Sequence, residues 1–366
     1  SLCRVSSRIP FSKAPLTTTH QTALLKWYTK LAVMQAPHRK GIAGMNILII
    51  GGGGVIGQKL ALALARTGQV DGKPITKLTL ADVVMPGGID APFEVQTQTC
   101  DIADPASVAK TITADTDLIF LLAAIVSAHA EEDFDAGMKI NLFGTYNVLE
   151  RCRALGTTPM VLVTSSIAVY GGEAKDPLGD HTYPNPQTSY GMQKAVGELL
   201  INDYTRKSYI DGRAFRLPTI SVRPGRPNRA ASSFMSSILR EPLNGQEAIC
   251  PVAGDFLHYY LSPRLCVENL IKGAELNGSD IGMNRVMQMP GKVWSINQLI
   301  TAMTTVAGPG PAKLIRWDPQ PEIERIVTGW RWDIHAEKAK RLGLKADRSF
   351  EDNIRYYLED DRPGAS

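Results

Sequence analysis

Between residue 45 and about residue 217, short continuous apolar runs alternate with segments whose apolar residues return every three or four positions. The runs are NILII at 46–50, KLTLAD at 77–82, FEVQTQ at 93–98, LIFLL at 118–122, MVLVTS at 160–165 and RAFRL at 213–217. Between them the spacing predicts helices from Val55 to about Arg66, from about Phe134 to Leu155 and from about Ser189 to Arg206. A further helix is expected with Asp104 as N-cap and Pro105 as its first residue. Strands that are apolar at successive positions have no wet face, so the pattern predicts a parallel sheet covered by helices on both sides, with ligands at the carboxyl ends of the strands. Beyond Leu217 the rhythm breaks into Pro-, Gly- and Arg-rich connections and shorter helices, one opened by a capping box from Ser295 to Gln298. The expectation is an α/β fold: residues 45–217 as a doubly wound parallel sheet, residues 218–358 mainly as a smaller C-terminal α/β substrate lobe with some segments returning to the sheet, and 359–366 as a tail.

Charge changes this picture in one respect. The net charge of +4 suggests nucleic acid, but the first 44 residues hold seven Lys/Arg and no Asp/Glu, leaving 33 basic against 36 acidic residues in the remainder. The folded part is not basic, so nucleic-acid binding is not expected. Residues 1–44 resemble either an organelle transit peptide or loosely attached, non-native residues ahead of a start at Met45; the lack of sustained helical periodicity favours the second, with the segment outside the fold. Five scattered cysteines without a CxxC pair indicate neither a disulfide framework nor a zinc ribbon, and fit a reducing, cytoplasmic setting. No HExxH is present and no apolar run reaches the roughly 18 residues of a membrane span, so a soluble protein without a structural metal is expected.

Immediately after the first strand comes GGGGVIG, with Gly51, Gly54 and Gly57 spaced as GxxGxxG at the opening of a helix. Glycine permits the tight turn and lets backbone approach a pyrophosphate, while the helix N-terminus offers N–H groups to the anion. A glycine run alone is weak, but here it follows a strand, opens a helix and is followed 25 residues beyond Gly57 by Asp82 at a strand end. There a carboxylate can accept both ribose hydroxyls of an adenosine, and it repels a 2′-phosphate, which favours NAD over NADP. Together these predict a Rossmann-type dinucleotide site; a strand-end turn is the plainer role for Asp82. Asp101 is read as an adenine contact or, equally, as a turn former.

Tyr190 and Lys194 stand four residues apart on a helix and share a face, so the ammonium can favour the phenolate and lower a tyrosine pKa of about 10, making Tyr190 a general base. Ser166, 24 residues upstream at a strand end, can orient a substrate alcohol beside the same phenol. Asn141 lies on the inner stripe of the long helix; it is read as a structural hydrogen bond to a neighbouring strand or as part of a water-linked proton path to Lys194. Gly144, costing about 1 kcal/mol against Ala in a helix, suggests close packing against another helix or the cofactor side.

These residues resemble the extended short-chain dehydrogenases/reductases, the NAD-dependent epimerase/dehydratase group. GGGGVIG at 51–57, Asp82, CDIAD at 100–104, LLAA at 121–124, NLFGT at 141–145, TSSIAVYGG at 164–172 and SYGMQK at 189–194 carry the likeness, which spans about Met45 to Leu358. It implies Ser166, Tyr190 and Lys194 as the catalytic set, with Lys194 also holding the nicotinamide ribose. It further implies Gly51, Gly54, Val55, Ile56, Gly57, Asp82, Asp101, Ile102, Leu122, Ala123, Ala124 and Asn141 on the cofactor side, and Ser127 on the substrate side. Sugar-nucleotide dehydratases place an acidic pair where this chain has Ile167 and Ala168, so dehydration is not expected. Gly254 before Asp255, and Tyr259, Tyr260, Leu261 and Ser262 after His258, depart from the sugar-nucleotide epimerase pattern. The stretch from Pro218 to Phe234 resembles a branch that oxidises the 2-hydroxyl of a four-carbon sugar acid, such as D-erythronate, with NAD. Arg223, Arg226 and Arg229 can supply a guanidinium fork for that carboxylate; the plainer reading is a solvated basic loop. The rivals are an epimerase on tightly held NAD and a non-catalytic dinucleotide sensor. By resemblance, the helices near 134–155 and 189–206 pair across a homodimer.

Overall fold

Along the chain, Met45–Ile50 (β1) leads into the helix Val55–Thr67 (α1), the hairpin Gln69–Val70 (β2) and Lys73–Asp82 (β3), Glu94–Thr99 (β4), the helix Pro105–Thr111 (α2) and Leu118–Leu121 (β5). This computed structural model describes residues 44–225 and 231–362. The expected N-terminal extension, as well as Arg226 and Arg229, lies outside the described residues. Next come the helices Ser127–Glu132 (α3) and Phe134–Gly137 (α4), a π-helical turn Met138–Phe143, Gly144–Leu155 (α5), Met160–Ser166 (β6), Ser189–Arg206 (α6) and Asp211–Leu217 (β7).

The sheet runs β4-β3-β1-β5-β6-β7 and ends with Val286–Gln288, with every neighbour parallel except the short β2 against β3. Strand order reverses between β1 and β5, which opens a crevice at their carboxyl ends. Alternate residues of each strand serve opposite faces. Ile47, Ile49, Leu118, Phe120 and Leu162 join Leu60 and Leu64 of α1, whereas Leu48, Ile50, Ile119, Val161 and Val163 join Val148 of α5 and Ile201 of α6. That explains why the runs are apolar at successive positions.

Two predicted elements differ. The strand expected from Lys77 begins at Lys73, because Asp71 and Gly72, at φ 52° and 69°, turn it back on β2. The long helix expected from Phe134 to Leu155 is interrupted by the π-helical turn, which carries Asn141. Gly144 does pack closely, and its neighbour is the Ile102 side chain in the loop after β4: a Cβ there would lie 2.7 Å from Ile102 side-chain atoms.

After β7 the chain builds a second group: Thr219–Ile220 (β8), the helix Phe234–Leu243 (α7), Ala248–Cys250 (β9), Leu257–Leu261 (β10) and the helix Pro263–Glu275 (α8). Val286–Gln288 (β11), Lys292–Ser295 (β12), Ile296–Ala307 (α9), Ile315–Trp317 (β13) and Phe350–Asp360 (α10) follow. The expected capping box is present at Ser295 and Gln298. Strands β12-β10-β8 and β13-β9 form two small sheets. They share a core with α7, α9 and α10, in which Tyr260, Trp294 and Phe350 meet edge to face or tilted at 5.1–6.4 Å. Meanwhile α8 packs on the α1 face and β11 extends the main sheet, so this half does return to the first. Residues 359–361 are no free tail: α10 runs to Asp360, Asp361 pairs with Lys59 at 2.7 Å, and Arg264 holds Glu359 and Asp360.

Candidate active site

The turn after β1 is fixed by main-chain bonds, since Gly51 and Gly52 both donate to the Ala81 carbonyl at 2.8 and 2.9 Å. Gly51 sits at φ +94°, and a Cβ there would stand 2.6 Å from the Ala123 nitrogen. Gly57 lets α1 start directly against the turn, for its Cβ would lie 2.2 Å from the Gly51 oxygen. The N-cap Gly54 supplies no side-chain hydrogen bond to the first turn, and Gly53, Gly54 and Val55 are exposed above it. Helix N-termini so arranged bind anions through their amides. Glycine at each point of collision, with an uncapped helix behind it, fits the pyrophosphate of NAD.

Asp82 closes one side of this cradle. Its carboxylate accepts from Gly53 N at 3.0 Å and Val83 N at 2.7 Å, so it both ends β3 and faces the glycine loop, with lone pairs left for further donors. Asp101 forms the turn of its alternative reading, accepting from Ala103 N at 2.9 Å. The Ile102 side chain is buried beneath Gly144, which leaves only its main chain to face a ligand.

Leu122 and Ala123 continue from β5, each donating to the Ile50 carbonyl, and Ala124 is exposed beyond them. Asn141 secures the next residue: it accepts from Ile125 N at 2.9 Å, donates to Ile125 O at 3.3 Å and donates to Gln193 Oε1 at 2.8 Å. Its partners are thus a loop and α6 rather than a strand. A π-turn is a common device for aiming one side chain out of helical register. Ser127, half-buried, opens α3, and Glu131 of that helix accepts from Ser189 N at 2.9 Å, docking it on the start of α6.

Thr188 caps α6, accepting from Gly191 N at 3.1 Å, and so places Tyr190 and Lys194 over the end of β6. Ser166, the last residue of β6, accepts from Ala168 N, and its hydroxyl lies near enough to the Tyr190 phenol to favour the phenolate. Burial raises the Tyr190 pKa to about 12, with Ser166 opposing. Lys194 is buried, its Nζ donating to the Thr164 carbonyl at 2.8 Å and standing 5.6 Å from the Tyr190 ring centre. Burial lowers its pKa to about 8, with Glu198 opposing. The expected depression of the Tyr190 pKa by Lys194 is therefore absent in this state: the ammonium is turned to a carbonyl, over the ring face, and desolvation of the phenol dominates.

The sequence reading missed the charges beneath this set. Glu198, one turn beyond Lys194, accepts from Ser165 Oγ at 2.6 Å and takes both Arg216 Nε and Nη2, at 2.8 and 2.6 Å, while Arg216 also bonds the Tyr170 hydroxyl. The i, i+4 spacing of Lys194 and Glu198 was visible; the Arg216 partner on β7 was not. Arg223 follows β8, half-buried, its pKa lowered by burial and by the neighbouring Arg240. No carboxylate of the described residues pairs with it. His258 on β10 is fully buried against Phe256, Tyr260 and Trp330, its Nε2 2.7 Å from the Thr219 hydroxyl, and burial lowers its pKa to about 3. Among the described residues no cluster of three or more His, Cys, Asp or Glu is arranged to hold a metal, and no helix is long and apolar enough to cross a membrane.

Residues 47–258 match the model of the NAD dependent epimerase/dehydratase family. A D-erythronate dehydrogenase of Cupriavidus necator is 48% identical over 320 residues, covering 86% of this chain and 98% of the relative. One from Haemophilus influenzae is 39% identical, covering 87% of this chain and all of the relative. A solved structure described as the nucleoside-diphosphate-sugar epimerase from Agrobacterium tumefaciens is 42% identical with a TM-score of 0.84, over 91% of this chain and 99% of that one.

Proposed function

The chain belongs to the NAD dependent epimerase/dehydratase family and is an NAD-dependent oxidoreductase, and we propose that it oxidises the 2-hydroxyl of a small sugar acid, D-erythronate foremost, to the 2-keto acid. One observation carries the reading: Ser166, Tyr190 and Lys194 converge at the crevice edge beside a glycine cradle, in a chain similar to two D-erythronate dehydrogenases over nearly their whole length. NAD, when bound, supplies the hydride acceptor. Gly51, Gly54, Val55, Ile56 and Gly57 hold its phosphates and Asp82 its adenosine ribose. Asp101, Ile102, Leu122, Ala123 and Ala124 line it, with Asn141 fixing the loop beside them.

The substrate hydroxyl sits between Ser166 Oγ, which orients it, and Tyr190 Oη, which takes its proton as the carbon is oxidised. For this the phenol must become more acidic than burial alone makes it, and the charge at hand is Lys194. Its ammonium has only to leave the Thr164 carbonyl for the phenolate. Arg223, a half-buried cation whose charged neighbour is another cation, receives the carboxylate, and Ser127 lines the same side. Residues 45–217 in this reading bind NAD, and 218–358 mainly bind substrate.

Two helices leave apolar side chains exposed at the surface, Tyr146 (41%) on α5 and Leu199 (68%) on α6, beside Phe143 (52%). That face supports a homodimer, and the absence of a disulfide among the described cysteines supports a cytoplasmic setting.

The test is NADH absorbance with purified protein, NAD or NADP, and a panel of D-erythronate, L-threonate and UDP-sugars. NADH with the sugar acid is expected. Interconversion of UDP-sugars without net NADH would replace the reading by an epimerase, and NAD binding without turnover by a dinucleotide sensor.

A further inference from the structure

On β6 the odd positions Val161 and Val163 join an apolar layer with α5 and α6. Ser165 is the next residue of that stripe, and opposite it the layer turns polar: Glu198 on α6 and Arg216 on β7 are buried with it. Arg216 pairs in register with Ser165. Its fork grips both Glu198 oxygens, Ser165 adds a third bond, and Tyr170 takes another arm of the guanidinium. A buried ion pair is rarely the most stable way to fill such a layer, since apolar side chains of similar volume are often neutral or better. Its place relative to the site offers another reason. Three consecutive residues of β6 face three successive turns of α6: Ser166 lies near the Tyr190 phenol, the Thr164 carbonyl accepts from Lys194, and Ser165 donates to Glu198.

We propose that Glu198, oriented by Arg216 and Ser165, is a positioning residue whose carboxylate keeps the buried Lys194 ammonium charged for use by Tyr190. The inference rests on the dehydrogenase reading. The titratable and charged groups around this point are Tyr190 and Glu198 on the same helix, Arg216 on β7 and Tyr170 after β6, with Asp180 acting on Tyr170 from farther off. Among them Glu198 is the one whose charge favours the Lys194 ammonium, against a desolvation strong enough to leave its pKa at about 8 even with that carboxylate in place. Without the carboxylate, and with Arg216 left behind, Lys194 loses its proton near neutrality and the alkaline edge of activity moves down.

The experiment follows Lys194 directly, by the pH dependence of its acylation with acetic anhydride read by peptide mass spectrometry, alongside kcat/KM for sugar-acid oxidation against pH. In Glu198→Gln the Lys194 midpoint falls by about one unit or more, the alkaline limb of kcat/KM falls with it, and Glu198→Asp restores most of both. Should Glu198→Gln not fold, Glu198→Gln/Arg216→Met replaces the pair by neutral groups and moves the midpoint in the same direction by a smaller step. An unmoved Lys194 midpoint, or activity scaled down equally at every pH with a lower melting temperature, makes the pair merely structural and overturns the proposal. The two readings fail separately: no NADH from the native protein removes the substrate assignment, whereas the acylation midpoint still decides the role of Glu198.

Discussion

Gly57→Ala and Gly54→Ala separate the two duties of the glycine loop. At Gly57 the added Cβ would stand 2.2 Å from the Gly51 oxygen and 2.9 Å from the Gly52 Cα, both backbone atoms. Neither can swing away, so α1 or the turn must shift by roughly an ångström, and overpacking of this kind costs about 1–3 kcal/mol. The melting temperature should fall by roughly 2–10 °C, and the displaced amides should weaken NAD by about tenfold or more, equivalent to about 1.4 kcal/mol. At Gly54 the backbone is extended (φ −75°, ψ 165°), and the nearest neighbour of a new Cβ is the Gly51 oxygen at 3.4 Å. There the protein should lose no more than the N-cap difference of about 1 kcal/mol, yet the methyl stands in open space over the amides that must meet the phosphates. Thermal melts of the free protein and calorimetric NAD titrations of both variants make the check. Native stability in Gly57→Ala would refute the packing argument, and native NAD affinity in Gly54→Ala would refute the placement of the pyrophosphate.

Three further outcomes are expected. Tyr190→Phe should lower kcat by roughly 10²–10⁴-fold while leaving NAD affinity unchanged; full turnover would remove Tyr190 as the base. The folded-state pKa of His258, about 3, lies below the unfolded value of about 6.5, so the unfolded chain takes up a proton first as pH falls. Its effect on stability is nil above that unfolded value and destabilising below it, by up to about 1.4 kcal/mol per pH unit until about pH 3. Urea midpoints measured from pH 7 to 4 should thus fall less steeply in His258→Gln, and parallel curves would show another group in control. Leu199→Glu should shift sedimentation from dimer to monomer without changing the far-ultraviolet circular dichroism; a native protein already monomeric at working concentration would dismiss the dimer.

Helix α6 was readable to the residue, Ser189 to Arg206, because Thr188 caps it and its inner stripe recurs at helical spacing. The hairpin ahead of Lys77 was missed although Asp71-Gly72 carries the signal for it, since the strands it joins include one of only two residues, too short for periodicity to register. The π-turn at Met138–Phe143 lay beyond any pattern in single positions: apolar spacing there is that of an ordinary helix, and what breaks it is the fit of Asn141 to a loop 16 residues away.

The site divides along the same line. Tyr190 and Lys194 as a candidate pair, and the glycine loop as a candidate cradle, were legible because each stands a turn or a strand from its partners in the sequence. Arg216 was not, since in the sequence it is one of two arginines in the run RAFRL, and only the pairing of β6 with β7 puts it over Glu198. Its burial has a consequence for how the site operates. The phenol and the ammonium are both held by desolvation toward their neutral forms, Tyr190 up and Lys194 down, so neither is preset for proton transfer. Burial therefore places these groups accurately but leaves their charges to be set by neighbours. The one buried carboxylate within a helical turn of Lys194 is then the residue on which its charge depends until a ligand arrives.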